Sequence, residues 1–349
     1  MSDTILMAVG CYTQPMPFVS GLGKGIHIVA LDPGTGEMES RHIVGGPRSP
    51  SYLALSPSGD RLYAVEELDA AMRPQLHTYG LDRKTGALDL LRRTEMPGSS
   101  ACHVSLDRAA RLLFVSNFSS GDLLCYRLTA EGIPDDMPQL VARPGHGSAR
   151  VHCAVPSPDN DLLLVCDAGN DTVAAYALSD DGLDPRPVSE LRAARGAFTR
   201  HVALLPGQPV FLAVHELASS MALGRLTGNT LSYGEAVSGL PAGWTGENTG
   251  AAVRVHPGGR FGYMSNRGHD SIFGAALDPE TLTLSPIGHW PAGGRNPRDF
   301  AFDPGGNWLV AAHQNSDTLA SFAVDAGTGA LTATGHVLAS GSPVSVLFL

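Results

Sequence analysis

The chain has 349 residues, of which 43% are hydrophobic and 17% charged, a balance that supports a packed core and excludes intrinsic disorder. Its formal net charge of −10 excludes nucleic acid as a partner, because binding to phosphates requires a basic surface. The first residues lack a basic segment followed by an apolar one, and no run of about 18 apolar residues occurs, so we expect a cytoplasmic protein with no membrane partner.

The content of turn-forming residues and the spacing of the cysteines further limit the kinds of fold and site that the chain can have. The chain has 41 Gly and 25 Pro, which favours short strands joined by turns over long helices. No Cys-x-x-Cys spacing of a zinc or redox site occurs. We therefore expect five free thiols with packing roles, at Cys11, Cys102, Cys125, Cys153 and Cys166.

One pattern occurs six times: an apolar strand, a turn, a second apolar strand and a polar pair. The first copy spans residues 52–67, and later copies begin at residues 102, 152, 200, 251 and 298. The turn anchors are 47 to 51 residues apart and fall at Pro57, Arg108, Pro158, Pro206, Pro257 and Pro304. This period is typical of a propeller blade of four strands.

A third strand follows in each unit, for example over residues 121–128 and 171–178. A hairpin signal comes next in three units, at residues 31–36, 81–86 and 324–329. In this signal Asp opens the turn and Gly supplies a positive φ before the fourth strand.

The two chain ends are incomplete units that complement each other. The N-terminal part has a second strand over residues 5–13, a third over 25–31 and a fourth, whereas residues 343–349 supply only a first strand. Pairing of the two ends closes the ring and removes exposed sheet edges. We therefore predict an all-β fold, a seven-bladed β-propeller of four-stranded antiparallel blades, as a single domain over residues 1–349. The alternative is a two-domain all-β protein, which the even spacing disfavours.

Polar residues concentrate at one end of the predicted blades. The first and second strands form an antiparallel hairpin, so residues that open the first strand and close the second share one face. Six and five residues before the anchors stand Ser51 and Tyr52, Cys102 and His103, His152 and Cys153, Arg200 and His201, Ala251 and Ala252, and Arg298 and Asp299. Nine and ten residues after them stand Glu66 and Glu67, Asn117 and Phe118, Asp167 and Ala168, His215 and Glu216, Asn266 and Arg267, and His313 and Gln314. The excess of polar side chains predicts a ligand site at the axial mouth.

These residues resemble those of a known family. Residues 263–272 match most specifically, with support from residues 50–57, 102–105, 200–203 and 296–304. The chain is similar to the seven-bladed lactonase family, which includes bacterial propeller-type 6-phosphogluconolactonases and fungal carboxy-muconate cyclases. The resemblance implies a catalytic quartet of His152, Arg200, Glu216 and Arg267. Together with the repeat positions it predicts further substrate-binding residues, namely Glu67, His103, Arg150, His201, Asn266, His269, Arg298 and Gln314.

Four positions depart from the family pattern. Arg150 stands where a second histidine is usual, and Ala252 replaces a common acidic residue. His215 and Ala218 begin and end a run that in the family reads Asn-Glu-Leu-Asp. These changes alter the charge at the mouth. They bear on the substrate more than on the fold.

The predicted reaction is hydrolysis of a sugar lactone, most similar to 6-phosphogluconolactone. His152 or Glu216 can serve as base and later as acid, and we favour His152. Arg200 and Arg267 stabilise the oxyanion and hold a phosphate or carboxylate, whereas Glu216 orients an arginine or the histidine. The predicted partner is thus a small anionic lactone, and the chain is expected to be a monomer.

Three alternatives stay open. The same arginines suit a lactonising cyclase that acts on a muconate-type dicarboxylate. A non-catalytic binding propeller is disfavoured by the charged mouth. A calcium site is disfavoured by adjoining arginines, although it has candidate ligands in Glu67, Asn117, Asp167 and Asn266. We predict no metal and no cofactor.

Overall fold

The structure is a computed structural model that describes residues 4–142 and 148–349. The N-terminal half contributes strands β1 Ile5–Cys11, β2 Ile26–Leu31, β3 Met38–Val44, β4 Pro50–Leu55, β5 Arg61–Glu66, β6 Gln75–Asp82, β7 Ala87–Glu95, β8 Ala101–Leu106, β9 Leu112–Asn117, β10 Asp122–Arg127, β11 Gln139–Ala142, β12 Val151–Pro156, β13 Leu162–Asp167, β14 Thr172–Ser179 and β15 Gly182–Arg192. Two short 3-10 helices, Ala70–Met72 and Ala168–Asn170, lie between strands.

The C-terminal half continues the same alternation of strands and turns. It contributes β16 Thr199–Leu204, β17 Val210–His215, β18 Ser220–Thr227, β19 Thr230–Tyr233, β20 Val237–Ser238, β21 Thr249–Val255, β22 Phe261–Arg267, β23 Ser271–Asp278, β24 Thr283–Pro291, β25 Pro297–Phe302, β26 Trp308–His313, β27 Thr318–Val324, β28 Leu331–Ala339 and β29 Pro343–Phe348.

These strands form seven antiparallel sheets in a ring, as predicted. Six blades use consecutive strands, β4–β7, β8–β11, β12–β15, β16–β19, β21–β24 and β25–β28, and β20 adds to the β16–β19 blade through β18. The seventh has the order β29-β1-β2-β3, with Met7 opposite Phe348 and Val9 opposite Val346. The predicted closure by the two chain ends is therefore confirmed.

Burial explains which strands are mostly apolar and which carry more polar residues. The second strands β9, β13 and β17 are buried along their whole length, because neighbouring blades cover both faces. The outermost strands β3 and β28 are mostly solvent-accessible. Seven apolar clusters lie between adjacent blades, one at each blade interface. The core is therefore a ring of packed layers around the axis.

The predicted hairpin turns have the expected chemistry. Asp32 accepts hydrogen bonds from the backbone N–H groups of Gly34 and Thr35, and Gly36 adopts a φ of 74°. A side chain at Gly36 would also collide with the ring of Trp308. Glycine is thus required there for both conformation and space.

A β-bulge at the start of every innermost strand was not predicted. The pairing register shifts at the residue six before each anchor: at Ser51, Cys102, His152, Arg200, the Ala251–Ala252 pair and Arg298. The seventh shift falls at Val344. A bulge re-aims a side chain and twists its strand, so all seven blades change side-chain direction at the same end of the ring.

In the described residues, no helix is long and apolar enough to cross a membrane.

Candidate active site

A cavity of about 580 Å³ opens at the end of the ring where the bulges lie. Its lining follows two repeat positions. Of the residues ten after the anchors, five line it, namely Glu67, Phe118, Glu216, Arg267 and Gln314. Of the bulge residues, four line it, namely Cys102, His152, Arg200 and Arg298. The predicted polar face of the repeat is therefore the wall of one cavity.

A second tier of side chains lies on the axis beneath this cavity. It comes from the residue after each bulge. The rings of Tyr52 and His103 are 4.4 Å apart, and those of His103 and His201 are 5.6 Å apart, although each belongs to a different blade. His103 Nε2 also lies 3.5 Å from the thiol of Cys153. The bulges thus present two successive residues to the axis, one to the cavity and one below it.

Glu216 holds two arginines together in the wall. Its Oε1 lies 2.8 Å from Arg267 Nη2, and its Oε2 lies 3.1 Å from Arg200 Nε. The second contact is an ion pair without hydrogen-bond alignment, because Arg200 Nε–H has no aligned acceptor. Arg200 is only 3% exposed and donates from Nη1 to the carbonyl of Ala251 at 2.7 Å. Burial lowers the pKa of Arg200 to about 10, so it stays charged at neutral pH.

Glu67 and Arg298 form a second ion pair in the cavity wall. Glu67 Oε2 accepts a hydrogen bond from the Tyr12 hydroxyl at 2.8 Å and lies 3.3 Å from Arg298 Nη2. The Arg298 guanidinium carbon lies 5.3 Å from the centre of the Tyr12 ring. Within the described ranges, no hydrogen bond reaches Glu67 Oε1. This carboxylate therefore keeps one oxygen for a ligand or a proton.

His152 is the histidine of the cavity wall. Its Nδ1 lies 3.1 Å from Nε2 of His201 and 3.6 Å from the Cys102 thiol. Burial and the charges of Arg200 and Arg298 hold the pKa of His152 well below 6.5. The imidazole is thus neutral at neutral pH. Nothing in the described part of the chain hydrogen bonds to its Nε2.

Other predicted site residues lie outside the cavity lining. Asn266, nine after its anchor, points into its blade and bonds to Gly239 and Ser271. His269 shares a hydrogen bond of 2.6 Å with Ser271, and the guanidinium carbon of Arg150 lies 5.8 Å from the centre of the Phe118 ring. His103 and His201 are in the lower tier. For Asn266 the alternation of strand side chains explains the difference, because the adjacent Arg267 is the residue that faces the cavity.

Sequence reasoning missed part of the lining. Phe118 and Cys102 stand at the repeat positions that line the cavity, so their offset was an available signal. The loop between β1 and β2 adds residues 14–18, and the 3-10 helix after β5 adds Met72. Tyr12 binds Glu67 from beneath that loop. These segments lie outside the repeated hairpins, so no periodic signal marks them.

Two amides that line the cavity have unused acceptor capacity. Gln314 donates to the carbonyl of Phe18 and to Asn315. Its Oε1, and Oδ1 of Asn296, are buried without a partner in residues 4–142 and 148–349. Buried polar atoms usually have partners, so these two oxygens are unsatisfied acceptors next to the cavity.

The described residues offer no ligand set for the calcium site that was considered as an alternative. In the described ranges no group of three His, Cys, Asp or Glu side chains is placed to hold a metal ion. Of the four candidates only Glu67 lines the cavity. Asn117 donates to the carbonyl of Pro97, and Asp167 accepts from Asn170.

Comparison with known proteins gives consistent matches. A family model described as "Lactonase, 7-bladed beta-propeller" matches residues 6–348. The 6-phosphogluconolactonase of Bacillus subtilis is 28% identical over 349 residues, covering 98% of this chain and 97% of that protein. That of Yersinia pseudotuberculosis is 30% identical over 315 residues, covering 88% and 89%. The solved structure of the periplasmic gluconolactonase PpgL of Pseudomonas aeruginosa has a TM-score of 0.89 at 26% identity, covering 99% of each chain.

Proposed function

The chain belongs to the lactonase family of seven-bladed β-propellers, and we propose that it hydrolyses a sugar lactone of the 6-phosphogluconolactone type. The observation that carries this proposal is a neutral His152 in the same cavity as Arg200, Arg267 and Arg298. Lactone hydrolysis needs a proton acceptor for water and a positive site for the oxyanion. The cavity supplies both.

The chemistry follows from these positions. His152 Nε2 accepts a proton from water while the water oxygen bonds to the lactone carbonyl carbon. Guanidinium groups of Arg200 and Arg267 stabilise the negative charge that develops on the carbonyl oxygen. The ring C–O bond then breaks, and His152 returns the proton to the leaving alkoxide. The product is the open hydroxy acid.

The roles of the two glutamates differ in this proposal. Both oxygens of Glu216 contact arginines, which suits an orienting role. Glu67 has Oε1 available and is therefore a better second site for a proton or a substrate hydroxyl.

Charge balance does not separate the lactonase from the cyclase alternative. Arg200, Arg267 and Arg298 line the cavity together with Glu67, Asp69 and Glu216, and His152 is neutral, so positive and negative side chains are equal in number. The named relatives favour the lactonase. Two relatives are named 6-phosphogluconolactonase, and in our proposal Arg267 or Arg298 holds the phosphate.

The proposal is tested by assaying 6-phosphogluconolactone and glucono-δ-lactone against their uncatalysed hydrolysis. We expect turnover of both, with kcat/KM higher for the phosphorylated lactone. His152→Ala and Arg267→Ala should each lower kcat/KM at least about 100-fold. No turnover of any lactone, or unchanged rates in both variants, refutes the lactonase proposal. Turnover of the unphosphorylated lactone alone refutes the assignment of an arginine to phosphate.

Cellular location and assembly are separate proposals. We propose a cytoplasmic monomer, as the sequence predicts. The Pseudomonas aeruginosa neighbour is a periplasmic protein, so fractionation of the native host is the relevant measurement. Light scattering of the purified protein gives its mass in solution.

A further inference from the structure

Part of the cavity lining is apolar, and lactone hydrolysis as proposed above does not use it. We call it the apolar wall, formed by Pro15, Met16, Pro17, Phe18, Met72 and Phe118. The arginines, glutamates and His152 occupy other positions around the same cavity. A ligand that fits both parts must itself be amphipathic.

Hydrogen bonds and packing fix the loop that contributes Phe18 to the apolar wall. Met16 and Val19 exchange two backbone hydrogen bonds, of 2.9 and 3.1 Å, which form a tight turn that presents Phe18. Val19 packs against Tyr12 and Val344 beneath this turn. The Gln314 amide donates to the carbonyl of Phe18 at 3.3 Å. The loop is thus tied to two blades at the cavity rim.

Two side chains of the apolar wall are exposed to solvent. Phe18 is 52% exposed and Met72 is 41% exposed, although both are large hydrophobic residues. Exposed apolar side chains that line one cavity mark a surface that a ligand can cover. A phosphorylated sugar lactone has no apolar group for this purpose.

The wall also reaches the reacting centre. The rings of Phe118 and His152 meet edge to face, with centroids 5.5 Å apart. A substituent next to the lactone ring can therefore contact Phe118 while the carbonyl faces the arginines. A cavity of about 580 Å³ is in the range that holds drug-sized ligands, so it has room for such a group.

We propose that this site has a further activity, the hydrolysis of lactones with an apolar substituent of several carbons beside the ring. The substituent lies on the apolar wall, and the ring carbonyl lies at the arginines. This inference rests on the proposed lactonase function. The reaction is the same as with a sugar lactone: water adds across the ring ester bond, and a hydroxy acid is released.

The test uses γ-butyrolactones with a methyl, ethyl, butyl or hexyl group on the ring. We expect kcat/KM to rise about fourfold for each methylene that contacts the wall. Phe18→Ser combined with Met72→Ser removes the two exposed side chains. We expect this double variant to lower the ratio of kcat/KM for the hexyl and methyl substrates about tenfold or more.

Leu22→Ser is the matched control. Leu22 lies in the same loop and is 59% exposed, but it does not line the cavity, so the ratio should not change. A ratio that is equal in the wild type and the double variant overturns the inference, as does a rate independent of chain length. Hydrolysis of 6-phosphogluconolactone without hydrolysis of any alkyl lactone overturns this inference alone. Absence of hydrolysis with every lactone overturns the lactonase proposal as well.

Discussion

His201 Nε2 lies 3.1 Å from His152 Nδ1, and the two rings share one hydrogen bond beneath the cavity. Burial and nearby Arg200 lower the pKa of both histidines well below 6.5, so the pair is neutral. For His152 to accept a proton at Nε2, its Nδ1–H must donate to His201. The lower histidine thus sets the tautomer of the upper one.

The first prediction concerns this pair. Replacing His201 with Phe keeps an aromatic ring but removes the acceptor for His152 Nδ1–H. We expect kcat to fall about tenfold to 100-fold, with KM little changed, because the neutral tautomer of His152 is no longer fixed. Steady-state kinetics measures the two parameters separately. His201→Gln retains an acceptor and should recover part of the loss, whereas equal losses in both variants would contradict this role.

The second prediction concerns the pH dependence of activity. Because its pKa is lowered, His152 stays unprotonated as the pH falls through 6.5. We expect kcat/KM to be constant from pH 8 to pH 6 and to decline only at lower pH. Arg298→Gln removes one of the charges that lower this pKa, so the acidic limb should move to higher pH. Arg295→Gln is the control, because Arg295 is exposed to solvent. It should leave the acidic limb of the pH profile unchanged.

The third prediction concerns the pairing of Glu216 with two arginines. Glu216→Gln leaves Arg200, which is 3% exposed, without a compensating charge. Loss of one partner of a buried ion pair costs about 3 kcal/mol or more in the free energy of unfolding. Thermal denaturation should show a clear fall in Tm together with reduced activity. Glu95→Gln breaks the exposed pair with Arg73 and should leave Tm unchanged.

The fourth prediction concerns stability in acid. Burial lowers the pKa of His215 to about 4, from an ordinary value of 6.5. A lowered pKa means that the unfolded chain binds the proton first, so stability is complete above pH 6.5 and declines as the pH falls. His215 alone should cost about 2 kcal/mol at pH 5. Denaturant unfolding between pH 7.5 and 5 measures this slope.

His215→Gln should reduce that slope, and His336→Gln on outer strand β28 should not. The hydroxyl of Thr199, 3.0 Å from His215 Nδ1, can bond equally to a glutamine. The substitution therefore tests titration more than packing. An unchanged slope in His215→Gln would be evidence against the assignment.

Several features followed from the sequence alone. The period of the turns predicted seven blades, because each blade needs the same four strands and the same apolar positions. The complementary chain ends predicted the closing pair of β29 and β1. The repeat offset of Glu216 and Arg267 placed both at one mouth, since antiparallel hairpins bring equivalent positions to equivalent places.

Only the tertiary structure decided which of these residues share the cavity. The bulges lift His152, Arg200 and Arg298 into the upper tier and leave His103 and His201 below, and a one-residue shift in pairing has no sequence signal. The loop that presents Phe18 and the Tyr12 bond to Glu67 join segments far apart in the chain. Periodicity reports local strand direction and blade number, whereas a site on the axis depends on how different blades converge. The polar mouth was therefore predictable from the repeat, but its pairing of charges and its apolar wall were not.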